Sequence, residues 1–138
     1  MRSLCAPLIS LSLLLGCAAL REDLGRAEAS YERAEYERAL VWLEDLEPQL
    51  PDMDVEMRAR FYYLRGMTAY RLGRRTEALY YLALAREVAG ERGVGLRDAW
   101  RSNLEGTLEE LTPTTATYVA RGTSGGESED PPRAPQAE

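Results

Sequence analysis

The chemistry open to this chain is set as much by what it lacks as by what it carries. There is no histidine, and all 17 basic residues are arginine. Cys5 and Cys17 are the two thiols, and neither a His/Cys ligand set nor a glycine-rich phosphate loop accompanies them. The usual catalytic groupings and a zinc site are therefore missing. Carboxylates are abundant in "YERAEYER" and "LEDLE". Acids interleaved with arginine along a helix are solvated charge rather than an acid–base pair. The composition thus points to a protein that is not an enzyme and uses no metal, cofactor or small-molecule substrate. Two kinds of chemistry remain: covalent modification of a thiol, and recognition by arginine, tyrosine and methionine.

The thiol is placed by its neighbours. One positive charge in "MRS" precedes an apolar run from Leu4 to Leu15, and polarity returns at "RED" after "LLLGCAAL". As a helix, a run of that length spans about 18 Å, well short of the roughly 30 Å hydrocarbon core of a bilayer. With no polar face it does not suit the first helix of a folded domain. It has the form of a secretory leader, which we assign to residues 1–16. A disulfide to Cys5 competes for Cys17 only if the leader stays attached. Without residues 1–16 the chain carries 16 arginines against 23 acids, a net charge near −7. Such a chain is repelled by nucleic acid and by anionic membrane surfaces.

Leu14, Leu15, Gly16 and Cys17 resemble the lipobox of bacterial lipoproteins. The resemblance implies diacylglyceryl transfer to the Cys17 thiol, cleavage after Gly16 and acylation of the new amino group. Several acyl chains hold a protein far more firmly than one, at about 0.8 kcal/mol per buried methylene. Leu15 departs from the small or β-branched residue usual in the motif. Ala18, after the cysteine, implies the outer rather than the inner membrane, facing the periplasm. Residues 17–21 are then an acylated N-terminus and short tether, reaching about 15–20 Å when extended.

The middle of the chain repeats itself. Aligning "ASYERAEYERALVWLEDLEPQLP" with "TAYRLGRRTEALYYLALAREVAG" at an offset of 39 residues pairs Tyr31 with Tyr70, Ala34 with Gly73, Ala39 with Ala78, Leu40 with Leu79 and Leu43 with Leu82. This resembles the tetratricopeptide repeat, a helix–turn–helix unit of about 34 residues. Gly66, Gly73, Ala78, Leu82 and Ala85 fit its pattern in the second copy; Ala27, Ala34, Ala39 and Leu43 fit in the first, with Pro51 at the closing proline. Asp23 and Arg26 depart from it. The resemblance implies that Gly66 and Ala78 lie where two helices cross. Gly73 suits the turn between them, since glycine reaches left-handed backbone angles without strain. It also implies a concave recognition face built by the first helix of each unit. In the second copy that face would be Arg60, Tyr63, Met67, Tyr70 and Arg71, and in the first Arg21, Leu24, Glu28, Tyr31 and Glu32. Tyrosine, methionine and arginine suit peptide capture. Tyr31 and Tyr70 could equally pack against each other between helices.

Periodicity supplies the elements. Tyr36, Ala39, Leu40, Leu43 and Leu46 form an amphipathic stripe that Pro48 and Pro51 end. A long helix is predicted from about Asp54 to Leu72. Residues 78–85, apolar on every side, predict a helix covered on two faces. Leu96, Trp100, Leu104, Leu108 and Leu111 predict a further helix that caps the stack, as repeat arrays require. No strand signal appears. From Thr112 the chain turns to Pro, Thr, Ser, Gly and acid, and only Tyr118 and Val119 could anchor it, so 112–138 is predicted to be disordered. The expectation is an all-α domain over 22–111, a short stack of helical hairpins of about two repeats plus a cap. It would be tethered to the envelope by lipid and would bind another envelope protein as an adaptor or assembly factor. The alternative is a purely structural subunit of an envelope complex with no peptide-binding groove.

Overall fold

The computed structural model describes residues 8–112, with side chains from Ala18 onward. The described residues are all-α: α1 (Leu8–Glu32), α2 (Tyr36–Leu46), a 3-10 segment (Glu47–Asp52), α3 (Val55–Arg71), α4 (Arg75–Ala89) and α5 (Asp98–Leu111). Short turns make α1–α2 and α3–α4 two packed helical hairpins. The predicted tail from 113 onward lies outside the described residues, as does the Cys17 side chain.

Local chemistry sets the boundaries. Pro48 opens the 3-10 segment and Pro51 lies within it, so α2 cannot continue. At the start of α3 the Asp54 carboxylate accepts a hydrogen bond from the Met57 N–H at 2.8 Å, an N-cap typically worth about 1 kcal/mol. That hydrogen bond, with help from Arg21 of α1, holds the Asp54 carboxyl below its ordinary pKa.

The two hairpin turns are built alike. The Glu35 N–H donates to the Ser30 carbonyl and the Ala34 N–H to that of Tyr31, both at 2.9 Å. In the second hairpin Arg74 N–H donates to Ala69 at 2.9 Å and Gly73 N–H to Tyr70 at 3.0 Å, the same bonds 39 residues on. The bond reaching five residues back marks a Schellman cap, which needs one left-handed residue. Gly73 takes it at φ 75°, and Ala34 takes it at φ 60°, the one described non-glycine residue at positive φ. At the middle of the second hairpin, a Cβ on Gly66 would stand 2.7 Å from Leu82 Cγ and 2.9 Å from the Leu82 backbone nitrogen. Glycine is what lets α3 and α4 approach this closely.

The core runs through Leu24 and Ala27 of α1, Leu43 and Leu46 of α2, Phe61 and Leu64 of α3, and Leu82 and Ala85 of α4. The helix enclosed on several sides is α3, which packs on all four of the others. It buries polar residues to do so. Arg65, only 6% exposed, lies 2.7 Å from Glu77 of α4, pairs with Glu44 of α2 at 3.4 Å, and sits over the Tyr81 ring at 5.0 Å. A buried cation of this kind fixes register more than it adds stability. Residues 78–85 lie in a helix that packs on both α3 and α5, while a third face stays open, with Tyr80 59% exposed and Ala83 open to solvent. An apolar side chain can remain at the surface, whereas the central position of α3 follows from chain topology.

The start of the domain also differs from expectation. The backbone is helical through residues 17–21, and Leu20 is buried in the core. The span from Cys17 to Glu22 is therefore about 8 Å at helical rise, half or less of the extended reach.

Candidate functional site

The expected concave residues come from α1 and α3, which lie side by side. What covers them is α5. Tyr63 is fully buried, its ring stacked on Trp100 with centroids 4.5 Å apart and planes 17° from parallel. Met67 is 2% exposed, and its sulfur accepts from the Thr107 hydroxyl at 3.8 Å. Neither residue can therefore meet a peptide, because α5 occupies the face they line. Burial pushes the Tyr63 hydroxyl up to about 12.

Two polar clamps hold α5 in place. At its start, Arg97 donates to Glu28 at 2.6 Å and to Glu32 at 3.0 Å while lying 4.0 Å above the Trp100 ring. Glu28, mostly enclosed, also accepts both a 2.7 Å bond from Arg60 Nε and a second from its Nη2. One carboxylate thus ties α1, α3 and the α5 entry together, which spends Arg60 on structure. At the other end, the Tyr70 hydroxyl donates to Glu110 at 2.6 Å and Arg75 reaches the same carboxylate at 3.4 Å. The hydrogen bond to Tyr70 is the largest influence holding the Glu110 carboxyl below its ordinary range.

What stays open is the end nearest the hairpin turns. Arg71 is exposed and sits 5.9 Å from the centroid of the Tyr70 ring, close enough to Tyr31 for its charge to act on that hydroxyl. Tyr31 in turn packs on Tyr36 at 5.7 Å. Burial raises the Tyr31 hydroxyl pKa, and Arg71 pulls it back. Tyr31 and Tyr70 do not stack on each other among the described contacts; the Arg71 guanidinium is near both. Among the described residues Arg71 has no carboxylate partner, whereas Arg21, Arg60, Arg75 and Arg97 each have one.

Of the ten expected recognition residues, then, Tyr31, Tyr70 and Arg71 come together at an open edge, Arg21, Glu28, Glu32 and Arg60 are engaged in ion pairs within the fold, and Leu24, Tyr63 and Met67 belong to the core. The contributions of Tyr36, Trp100, Arg97 and Glu110 were not anticipated. Trp100 carried a signal, the capping stripe; Arg97 and Glu110 carried none, since α5 follows no repeat pattern. Among the described residues no group of three or more His, Cys, Asp or Glu side chains could hold a metal ion, and no helix is long and apolar enough to cross a membrane.

The fold and the site define an all-α helical-hairpin protein with a tyrosine–arginine edge. No family model, no curated protein and no solved structure matches the chain significantly.

Proposed function

We propose that this chain is a lipid-anchored bacterial envelope protein, attached through Cys17, that binds another envelope protein through tetratricopeptide-like helices as an adaptor or assembly factor. The anchor rests on the lipobox-like Leu14–Cys17. The single observation that carries the binding role is Arg71, exposed among Tyr31, Tyr36 and Tyr70 without an acidic partner among the described residues. A planar guanidinium flanked by aromatic faces suits a carboxylate on a partner segment, taken by paired N–H donors with the rings packing on the adjoining chain. Tests should read the two parts separately. A palmitate analogue should label the intact chain, and Cys17→Ala should lose all label; retained label would remove the anchor. Partner recovery after crosslinking in intact envelopes should fall with Arg71→Ala while helicity is unchanged, and an undiminished yield would count against the edge.

The closure of Tyr63 and Met67 beneath α5 favours a second reading, a structural subunit that packs through its outer helix faces. In that case Arg71→Ala would leave recovery intact, and Val41→Asp or Tyr80→Asp, at exposed apolar positions, would abolish it.

A further inference from the structure

A groove of about 810 Å³ opens between the end of α4 and the first half of α5. Its origin lies in the connecting loop. Gly95 runs so close to the Glu56 backbone that a Cβ would not fit, which pins the loop to the start of α3. From there Arg97 draws α5 toward α1. Between the end of α4 and the start of α5, Ala89, Leu96 and Leu104 form an apolar floor. The rim is charged unevenly. Arg86 faces Glu105 at 3.6 Å and Arg101 faces Asp98 at 2.5 Å, whereas Glu87 and Glu91 meet no arginine among the described residues.

We infer that this groove is occupied by the chain's own segment Tyr118–Arg121, "YVAR". Residues 113–138 follow α5 in sequence, and the helix has already ended at Thr112, whose backbone is extended. From Thr112 back to Leu104 is about 12 Å along the helix, and residues 113–117 span up to about 17 Å when extended. Tyr118 is thus the first large side chain after the turn able to lie beside Leu104. Tyr118 and Val119 are also the only large apolar residues of the segment. Arg121, two residues on, supplies the charge that Glu87 and Glu91 lack. Filling the groove this way requires ordering only four residues, and the short linker supplies an effective concentration in the millimolar range, so weak contacts suffice. A second copy of the chain or an outside partner would have to compete against that concentration.

The test is photocrosslinking in the full-length chain with Tyr118 replaced by p-benzoylphenylalanine. Adducts within one chain at residues 86–105 are expected. Adducts between chains, adducts elsewhere, or none would overturn the assignment. In the same protein Glu91→Arg should lower the yield about two- to fivefold, the range of an exposed ion pair, and adding Arg121→Glu should restore it. A yield indifferent to both charges would refute the pairing.

Discussion

The two hairpin turns make a paired prediction, because the same backbone position is alanine in one and glycine in the other. Ala34 and Gly73 have φ values of 60° and 75° and are both exposed. A left-handed conformation costs an L-residue roughly 1–2 kcal/mol relative to glycine. Glycine gives back about 0.4–1 kcal/mol through its greater freedom in the unfolded chain. A Cβ at Gly73 would meet nothing within 4 Å, so no clash or new contact enters. Ala34→Gly should therefore stabilise by about 0.5–1 kcal/mol, and Gly73→Ala should destabilise by a similar amount. For a domain of this size each kcal/mol moves Tm by roughly 4–8 °C. Thermal melts followed by helical circular dichroism would resolve shifts of opposite sign. If both substitutions destabilise, the Ala34 methyl contributes something the turn geometry does not explain, and the structural equivalence of the two turns fails.

Three further outcomes follow. Gly66→Ala should cost about 1–3 kcal/mol by pushing Leu82 and α4 away, whereas Gly25→Ala and Gly106→Ala, with nothing near their Cβ positions, should stabilise by roughly 0.5–1 kcal/mol through helix propensity; denaturant melts would separate them. Tyr63 should make the fold sensitive to alkali. Its folded pKa of about 12 lies above the unfolded value of 10.0, so its contribution is whole below pH 10 and is lost as the pH climbs to 12. Tyr63→Phe should abolish that component at a cost under about 1 kcal/mol at neutral pH, because among the described residues the buried hydroxyl has no hydrogen-bond partner; unchanged alkaline unfolding would place the sensitivity elsewhere. Asp54→Ala should cost about 1 kcal/mol at neutral pH by removing the α3 cap, with a difference from the parent that vanishes as the pH falls through the lowered Asp54 pKa.

Helix content and turn placement could be read from the chain because they depend on neighbours in sequence. The stripe ending at Leu46, the prolines after it and the glycine at 73 each act within a few residues. The alignment paired Ala34 with Gly73, but the residue type gave no sign that this alanine takes the same left-handed backbone. The candidate site was less legible because it depends on contacts far along the chain. Whether Tyr63 is a peptide contact or a core residue is decided by Trp100, 37 positions later, and nothing in the repeat pattern says where a non-repeating helix will lie. Arg60 and Arg71 also look interchangeable in sequence. Glu28 engages one, and among the described residues no carboxylate engages the other. Polar residues inside α3, such as Arg65 and Thr68, disguised the most enclosed helix as an ordinary amphipathic one.

The measurement closest to the central claim is crosslinking in living cells from a photoreactive residue in place of Tyr36, beside the open arginine. A discrete adduct with one envelope protein is expected, strongly reduced by Arg71→Ala and only partly by Arg71→Lys, which keeps the charge but loses the planar fork. An adduct of equal yield in all three backgrounds, or none at all, would contradict it.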